Sequence, residues 1–217
     1  MNAKEIIARR AAQEVSNGDV VNLGIGLPTM VSNYINDDVV VTLQSENGIL
    51  GMGGLAAEGR KDKDLVNAGG QHVSVQKGAS LFDSAASFGI IRGGHVDLTM
   101  LGALQVDKEG TLASHIVPGK MVPGMGGAMD LVAGAKRVIV VTTHTAKGAA
   151  KLLDKVSLPP TAVNKVNRII TELAVIDVEE DGFKLVEISP DTTVEQVQEL
   201  TGSPLKIDEN LKIMNIA

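Results

Sequence analysis

Short runs rich in β-branched residues recur along the chain, and glycine-rich loops, polar loops or helix-like segments follow them. This pattern predicts buried strands connected by helices. The predicted strands cover residues 20–23, 39–43, 96–101, 137–142, 168–177 and 183–188. The predicted helices cover residues 3–17, 80–91 and 193–200, with shorter helices inside 24–35 and 124–135. Strands that alternate with helices predict an α/β domain built around a mainly parallel sheet that helices flank.

Composition limits the classes of protein that fit the chain. Its 217 residues are enough for one domain with its own core, so we expect a single domain over residues 1–217. The net charge of -6, without a basic stripe, argues against nucleic acid as a partner. No apolar run reaches the roughly 18 residues that span a membrane, and the N-terminus has no apolar signal core. Cysteine is absent, which excludes disulfides, thiolate metal ligands and cysteine nucleophiles. We expect a cytoplasmic protein.

One loop contains a candidate catalytic carboxylate. In an open parallel sheet, ligands bind beyond the carboxyl ends of the strands. The predicted strand 39–43 runs directly into Gln44-Ser45-Glu46-Asn47-Gly48, which is followed by further glycines. A carboxylate at a strand end, beside glycines that permit close backbone approach, is a candidate nucleophile or base. On this feature alone, the commoner alternatives for Glu46 are a helix cap or an ion pair.

Two other glycine-rich loops are candidates for ligand contact. Residues 22–26, Asn-Leu-Gly-Ile-Gly, resemble the start of a dinucleotide fingerprint without its third glycine, so a tight turn and a ligand cradle are both open. Residues 124–130 could offer backbone N–H groups to a developing negative charge, although close helix packing would use the same glycines. The four histidines lack the spacing of metal ligands, and no metal site is indicated.

Six segments, taken together and in order, resemble the B subunit of the 3-oxoacid CoA-transferases. This group includes acetate or butyrate:acetoacetate transferases and succinyl-CoA:3-oxoacid transferase. The segments are NLGIGLPT (22–29), LQSENGILGMG (43–53), DLVNAGG (64–70), IRGGHVDLTMLGALQV (91–106), VPGKMVPGMGGAMDLV (117–132) and NRIITELAV (167–175). They span most of the chain, and SENG and GMGGAMD are the most specific of them. The resemblance implies the CoA-transferase α/β fold, which ribose-5-phosphate isomerase shares.

The resemblance also implies roles for particular residues. Glu46 is the expected nucleophile, Gly127 the glycine whose backbone N–H helps to form an oxyanion hole, and Asn22 a polar residue near the nucleophile. The positions expected to bind substrate or CoA are Asn22, Gly24, Gly26, Asn47, Gly48 and Gly126.

The implied reaction transfers CoA between a short-chain acyl-CoA, such as acetyl-, butyryl- or succinyl-CoA, and a 3-oxoacid such as acetoacetate. It would proceed by a ping-pong route through a glutamyl-CoA thioester on Glu46, in short-chain acid or ketone-body metabolism. No metal or redox cofactor is implied, and coenzyme A is a substrate. A separate A subunit is the implied partner, in an A2B2 heterotetramer, and the chain alone should be inactive.

Several positions depart from the family pattern and leave the choice of acid open. They are Gly54 in place of a usual Pro, Gly70 in place of Lys, Ser114-His115 in place of Asn-Trp, and Thr143 in place of Glu. One alternative within the family is a dicarboxylic 3-oxoacid such as 3-oxoadipate. An alternative of another class is a non-catalytic ligand-sensing module on the same fold, against which the intact SENG segment argues.

Overall fold

A computed structural model describes residues 1–119 and 124–216, and its main feature is a ten-stranded sheet. In chain order the strands are β1 (Val20–Leu23), β2 (Thr42–Ser45), β3 (Ile49–Leu55), β4 (Val73–Leu81), β5 (Leu98–Leu101), β6 (Gln105–Asp107), β7 (Leu112–Ala113), β8 (Arg137–Val141), β9 (Thr145–Ala146), β10 (Ala149–Ala150), β11 (Leu152–Leu153), β12 (Arg168–Ile170), β13 (Ala174–Glu179), β14 (Gly182–Ile188) and β15 (Leu205–Ile213). The helices are α1 (Ala3–Ala12), a 3-10 helix (Pro28–Asn33), α2 (Ser84–Arg92), α3 (Ala128–Gly134) and α4 (Val194–Glu199).

The large sheet has a parallel centre flanked on each side by antiparallel strands, and its edge strand β15 pairs in parallel with β14. Its strand order is β15-β14-β13-β12-β8-β5-β1-β2-β3-β4. Strands β12, β8, β5, β1 and β2 pair in parallel, whereas β2–β3–β4 and β12–β13–β14 pair antiparallel. This arrangement confirms the predicted α/β class. The carboxyl ends of the central strands share one edge, where the site is expected.

Two hydrophobic cores lie on opposite faces of this sheet. Successive side chains on a strand point to opposite faces. On β8, Val138 and Val140 accordingly join the core that includes residues of α2, α3 and α4. Ile139 and Val141 join the other core, which includes residues of α1. Helices therefore cover both faces, which explains why the central strands read as continuous apolar runs.

Helix α1 ends at Ala12, so the prediction of a helix over residues 3–17 was wrong at its C-terminal end. The backbone N–H groups of residues 13, 14 and 15 donate to carbonyls three residues earlier, which tightens the chain into 3-10-type turns. Val15 remains buried, so the apolar pattern continues although the α-helix does not. Helix α2 begins at Ser84 rather than residue 80, because Ser80 and Leu81 complete β4.

The predicted strand 39–43 is displaced toward the C-terminus, because the observed strand β2 is Thr42–Ser45. Val40 is 70% exposed, and its backbone groups bond to the turn before β1, through Asn17 and Gly18. A β-branched residue therefore lies here in a loop.

The predicted strand 168–177 is two antiparallel strands, β12 and β13. A turn at 171–173 separates them, and the Thr171 hydroxyl accepts hydrogen bonds from the backbone N–H groups of Leu173 and Ala174 at 3.2 and 3.0 Å. Neither glycine nor proline marks this turn, because the threonine side chain satisfies its backbone instead.

An ionic cluster ties the end of α1 to the sheet. The Glu14 carboxylate accepts hydrogen bonds from Arg10, Arg137 and Arg168 at 2.9, 2.6 and 2.7 Å, and its side chain is 6% exposed. Burial alone would raise the pKa of Glu14, but the neighbouring guanidinium groups, Arg168 foremost, lower it below its ordinary value. Glu14 is therefore held as a carboxylate.

Candidate active site

A cleft of about 890 Å³ opens at the carboxyl ends of β1, β2 and β5. Its lining includes Asn22, Gly24, Glu46, Gly126 and Leu101. Ligands of open α/β sheets bind at this edge, so the cleft lies where the strand order leads us to expect a site. Of the predicted site residues, Gly26, Asn47, Gly48 and Gly127 do not line the cleft, although Gly127 contacts Glu46 directly.

A tight turn between β2 and β3 holds Glu46. The two strands pair antiparallel, with Ser45 opposite Ile49, so only residues 46–48 connect them. Gly48 has a φ of +114°, and a Cβ there would overlap the carbonyl oxygen of Phe82. Its own carbonyl accepts a hydrogen bond from the Phe82 N–H at 3.0 Å. Glycine is therefore required at the turn that presents Glu46 to the cleft.

The backbone of the second glycine-rich loop meets the Glu46 carboxylate. The Gly127 N–H, at the start of α3, donates to Oε2 of Glu46 at 3.0 Å. A Cβ on Gly127 would overlap that oxygen, and a Cβ on Gly126 would lie 2.9 Å from Oε1. Only backbone without side chains fits so closely, which is the reason for both glycines. The structure thus brings together the predicted nucleophile and the predicted oxyanion donor.

Asn47 and Ser45 brace the turn against the loop that follows β3. The Ser45 hydroxyl donates to Oδ1 of Asn47 at 2.7 Å and accepts from the Ala68 N–H at 3.1 Å. The Asn47 amide donates to the Val66 carbonyl at 2.7 Å. These bonds give Asn47 a structural function, and its contact with substrate stays a prediction.

Gly24 and Gly26 lie in the loop after β1. The Gly24 N–H donates to the Met100 carbonyl at 2.8 Å, and a Cβ on Gly24 would lie 3.0 Å from Cδ2 of Leu101. Gly24 therefore lets this loop pack against the end of β5, as the tight-turn alternative predicts. Gly26 has a φ of +93°, and a Cβ there would meet no atom within 4 Å. Only its backbone conformation favours glycine.

The sequence predicted Asn22 as a site residue but not the two buried polar residues bonded in series with it, Gln44 and Ser87. Asn22, Gln44 and Ser87 are 4%, 1% and 0% exposed. The Asn22 amide donates to Oε1 of Gln44 at 2.6 Å, and Nε2 of Gln44 donates to the Ser87 hydroxyl at 2.9 Å. The available signal was a glutamine two positions before Glu46, directly after the apolar run 39–43.

Some of the positions that depart from the family pattern reach the cleft. Ser114 and His115 line it, and Thr161 Oγ1 lies 2.8 Å from the Ser114 hydroxyl and 3.1 Å from Nδ1 of His115. A Cβ on Gly70 or Gly54 would meet no atom within 4 Å, and the Thr143 hydroxyl donates to the Thr145 carbonyl at 2.9 Å. Part of the quoted segment 117–132, namely 120–123, lies outside the described residues.

His144 is fully buried near the carboxyl ends of β8 and β12. Its Nδ1 and Nε2 lie 3.0 Å and 2.9 Å from the hydroxyls of Thr171 and Thr201. Burial lowers the pKa of His144 to about 4, so the ring is neutral near pH 7. Over residues 1–119 and 124–216, no group of three or more His, Asp or Glu side chains is placed to hold a metal ion. Within the same ranges, no helix is long and apolar enough to cross a membrane.

A carboxylate in a cleft, bonded to a backbone N–H at a glycine loop, is an arrangement suited to acyl transfer. The carboxylate supplies a nucleophile, and the N–H supplies a fixed donor for an oxyanion. The site therefore defines the chain as a candidate acyl- or CoA-group transferase.

Comparison with known proteins agrees with this class. The model of the coenzyme A transferase family matches residues 4–200. The chain is 53% identical over 218 residues to the beta subunit of the acetate CoA-transferase of Haemophilus influenzae, and the match covers 100% of this chain and 97% of that protein. It is 46% identical to the B subunit of the 3-oxoadipate CoA-transferase of Pseudomonas putida, over 92% of this chain and 94% of the relative.

A solved structure supports the fold. The acyl-CoA transferase YdiF of Escherichia coli, in a thioester complex with CoA, superposes with a TM-score of 0.79 at 25% identity. The match covers 100% of this chain and 44% of the YdiF chain, so the present chain corresponds to less than half of that protein.

The chain therefore belongs to the coenzyme A transferase family, and it is an enzyme of the CoA-transferase class. The resemblance found in the sequence is confirmed. Several relatives are named as beta or B subunits, which implies a partner subunit for this chain.

Proposed function

We propose that this chain transfers CoA between a short-chain acyl-CoA and a 3-oxoacid such as acetoacetate, with Glu46 as the nucleophile. The observation that carries the proposal is the contact between the Glu46 carboxylate and the Gly127 N–H beside the cleft. The names of the relatives, which include acetate and succinyl-CoA:3-ketoacid CoA-transferases, support the choice of substrates.

The reaction preserves the thioester by two successive exchanges. A carboxylate oxygen of Glu46 attacks the acyl-CoA carbonyl carbon, and the C–S bond breaks. CoA leaves as a thiolate, and the acyl group and Glu46 are joined as a mixed anhydride. The thiolate then attacks the carboxyl carbon of Glu46 and releases the acid as a carboxylate. The product is a glutamyl-CoA thioester. An incoming carboxylate reverses both steps, so no proton is gained or lost overall.

The Gly127 N–H is placed for the steps in which Glu46 is the electrophile. It already donates to Oε2 of Glu46, which becomes the oxyanion when the Glu46 carboxyl carbon is attacked. One such donor contributes on the order of 3 kcal/mol to transition-state stabilisation. Donors for the oxyanion on the substrate carbonyl would come from the partner subunit.

The cleft favours small acids, among them acetate, butyrate and succinate. Leu101, Ala103 and Met125 give it apolar surface, while Ser114 and His115 add polar groups. An apolar pocket distinguishes one methylene by only about 1–3 kcal/mol, so several acids should react. His115, a histidine that could face a second carboxylate, favours a dicarboxylic 3-oxoacid such as 3-oxoadipate as the second candidate.

The working enzyme is proposed to be a heterotetramer of two A and two B subunits. The chain is proposed to form a single domain within it. Coenzyme A serves as substrate, and no other cofactor takes part. Because acyl-CoA is a metabolite of the cell interior, we place the reaction in the cytoplasm.

The proposal is tested with the complex of this chain and its A subunit. Consumption of acetoacetyl-CoA is measured with acetate, butyrate and succinate, and 3-oxoadipate is assayed as an acceptor from succinyl-CoA. Glu46→Gln should reduce transfer at least about 10³-fold. Glu58→Gln is the matched control, because the Glu58 side chain is 91% exposed and lies outside the cleft. Full activity in Glu46→Gln would refute the proposed nucleophile, and no transfer by the wild-type complex would favour a sensing module.

A further inference from the structure

Asn22, Gln44 and Ser87 form a chain of hydrogen bonds whose direction can be determined. Asn22 lies on β1, Gln44 on β2 and Ser87 on α2, and all three are nearly inaccessible. Asn22 and Gln44 also line the cleft. Each buried amide needs partners for its own donors and acceptor, so the bonds of one side chain constrain the orientation of the next.

The starting point is a backbone carbonyl, which can only accept. The amide group of Asn22 approaches the main-chain oxygen of Gln44 at 3.2 Å, so the NH2 end of Asn22 must face Gln44. The same NH2 group donates to Oε1 of Gln44 at 2.6 Å. Both N–H donors of Asn22 are thus used within the protein.

Gln44 is held in turn by Ser87. Because Oε1 of Gln44 accepts from Asn22, its NH2 group must face the other way, where it donates to the Ser87 hydroxyl at 2.9 Å. The Ser87 hydroxyl is left to donate to the Ser45 carbonyl, a long contact of 3.5 Å. The hydrogen bonds therefore all run in one direction, from Asn22 through Gln44 and Ser87 to the Ser45 carbonyl. The group at the opposite end of this series of hydrogen bonds is Oδ1 of Asn22.

The carbonyl oxygen of Asn22 is the group left for a ligand. Among the described residues, no donor bonds to this oxygen. A fully buried oxygen without a donor would be a buried unpaired atom, and Oδ1 of Asn22 is not among those atoms. The oxygen is therefore accessible from the cleft that Asn22 lines. An acceptor here cannot bind the carboxylate of an acid or the carbonyl oxygen of a thioester, because those oxygens only accept. In an acyl-CoA, the donors closest to the thioester are the amide N–H groups of the pantetheine arm.

We propose that Gln44 is a positioning residue that, with Ser87, holds Asn22 so that its Oδ1 accepts a hydrogen bond from an amide N–H of the pantetheine arm. This inference rests on the proposed function, because it assumes an acyl-CoA in the cleft. Asn22 then binds the CoA part of the substrate and donates nothing to an oxyanion. Of the groups shown to contact Glu46, the Gly127 N–H remains the oxyanion donor that this chain supplies.

The test uses two analogues of acetoacetyl-CoA, in each of which the N–H of one pantetheine amide is replaced by CH2. With the wild-type complex, one analogue should lose about three- to tenfold in kcat/KM relative to acetoacetyl-CoA. In Gln44→Met that analogue and acetoacetyl-CoA should react equally well, because Asn22 is no longer held. Gln198→Met is the matched control, since the Gln198 amide is also bonded at both ends but lies on α4 outside the cleft. Gln198→Met should keep the wild-type ratio of kcat/KM between acetoacetyl-CoA and that analogue.

Two results would overturn the inference. One is a wild-type complex that does not distinguish either analogue from acetoacetyl-CoA. The other is a Gln44→Met complex that is slower with all three substrates yet keeps the wild-type ratio of kcat/KM between acetoacetyl-CoA and the analogue. That result would mean that Gln44 has only a structural role. If Gln44→Met fails to assemble, Ser87→Ala is measured in its place. Loss of the Ser87 hydroxyl should reduce the ratio of kcat/KM between acetoacetyl-CoA and the analogue. An unchanged ratio would contradict the proposal. Failure of the proposed function is distinct: the wild-type complex would not consume acetoacetyl-CoA.

Discussion

The backbone N–H of Gly127 donates a 3.0 Å hydrogen bond to Oε2 of Glu46, although the two residues are 81 positions apart in the sequence. One lies in the turn between β2 and β3, and the other lies at the start of α3. Their contact joins two glycine-rich loops into one site, and it is the feature on which the proposed chemistry depends.

A methyl group at Gly127 should separate these two loops. The Cβ of Gly127→Ala would overlap Oε2 of Glu46 and lie 3.2 Å from Cζ of Phe88, so the carboxylate must move away from the N–H. We expect kcat to fall by about 10²-fold or more with little loss of stability. Steady-state kinetics of the complex with the A subunit measure this. Gly89→Ala is the control, because a Cβ at Gly89 meets no atom within 4 Å outside its own helix, and equal losses in the two variants would contradict the assignment.

A side chain at Gly48 should destabilise the turn for two reasons, the positive φ and the steric overlap with Phe82. Gly48 and Gly78 both have positive φ values, +114° and +88°, but only at Gly48 would a Cβ overlap another atom. Gly78→Ala should therefore cost only the backbone strain, about 1 kcal/mol of unfolding free energy. Gly48→Ala adds a steric clash and should cost about 3 kcal/mol or more. Urea unfolding of both variants measures the difference, and similar values would show that the contact with Phe82 is not limiting.

Loss of the Glu14 carboxylate should destabilise the attachment of α1. Glu14→Gln removes the anion that Arg10, Arg137 and Arg168 share, and it leaves the nearly buried Arg10 with only Glu187. Removal of one partner from a buried ionic group costs about 3–5 kcal/mol. The exposed pair of Lys61 and Glu58 provides the comparison, because Glu58→Gln should change stability by less than about 1 kcal/mol. A small effect of Glu14→Gln would mean that the cluster is effectively solvated.

His144 should make the fold sensitive to acid. Its pKa is about 4 in the folded protein because of burial, whereas its ordinary value is 6.5. Below pH 6.5 the unfolded chain binds a proton that the folded chain does not, so stability falls as the pH falls from 6.5 to about 4. The loss is on the order of 3 kcal/mol. His144→Asn lacks this titration, so its stability deficit relative to wild type should shrink between pH 7 and pH 4.5. Parallel pH profiles would contradict the buried neutral histidine.

The parallel centre of the sheet could be predicted from the sequence because its strands are buried on both faces and read as apolar runs. The β3–β4 hairpin and β15 could not. Most residues of β4 and β15 are exposed, so no alternation of buried and exposed positions marks them. The boundary errors at α1 and β2 have a related cause, because apolar periodicity reports burial and not the hydrogen bonds that define an element.

The site was predictable in part. Glu46 follows an apolar strand at the sheet edge where ligands bind, so local sequence was sufficient to make it a candidate. Which loop faces it was not readable from local pattern, because sequence spacing carries no information on contacts 81 residues apart. Local sequence made the loop 124–130 a candidate donor, and only the family resemblance implied Gly127 in particular. Gln44 and Ser87 were missed because their role depends on the hydrogen bond between them, and they lie 43 positions apart in the sequence.

The most direct test of the central claim is peptide mass spectrometry of the complex with its A subunit after incubation with acetoacetyl-CoA and reduction with borohydride. Borohydride reduces a glutamyl-CoA thioester to an alcohol, which labels the residue that held CoA. The account predicts a mass change confined to the peptide that contains Glu46 and absent from Glu46→Gln. An unmodified Glu46 in a complex that transfers CoA would contradict it.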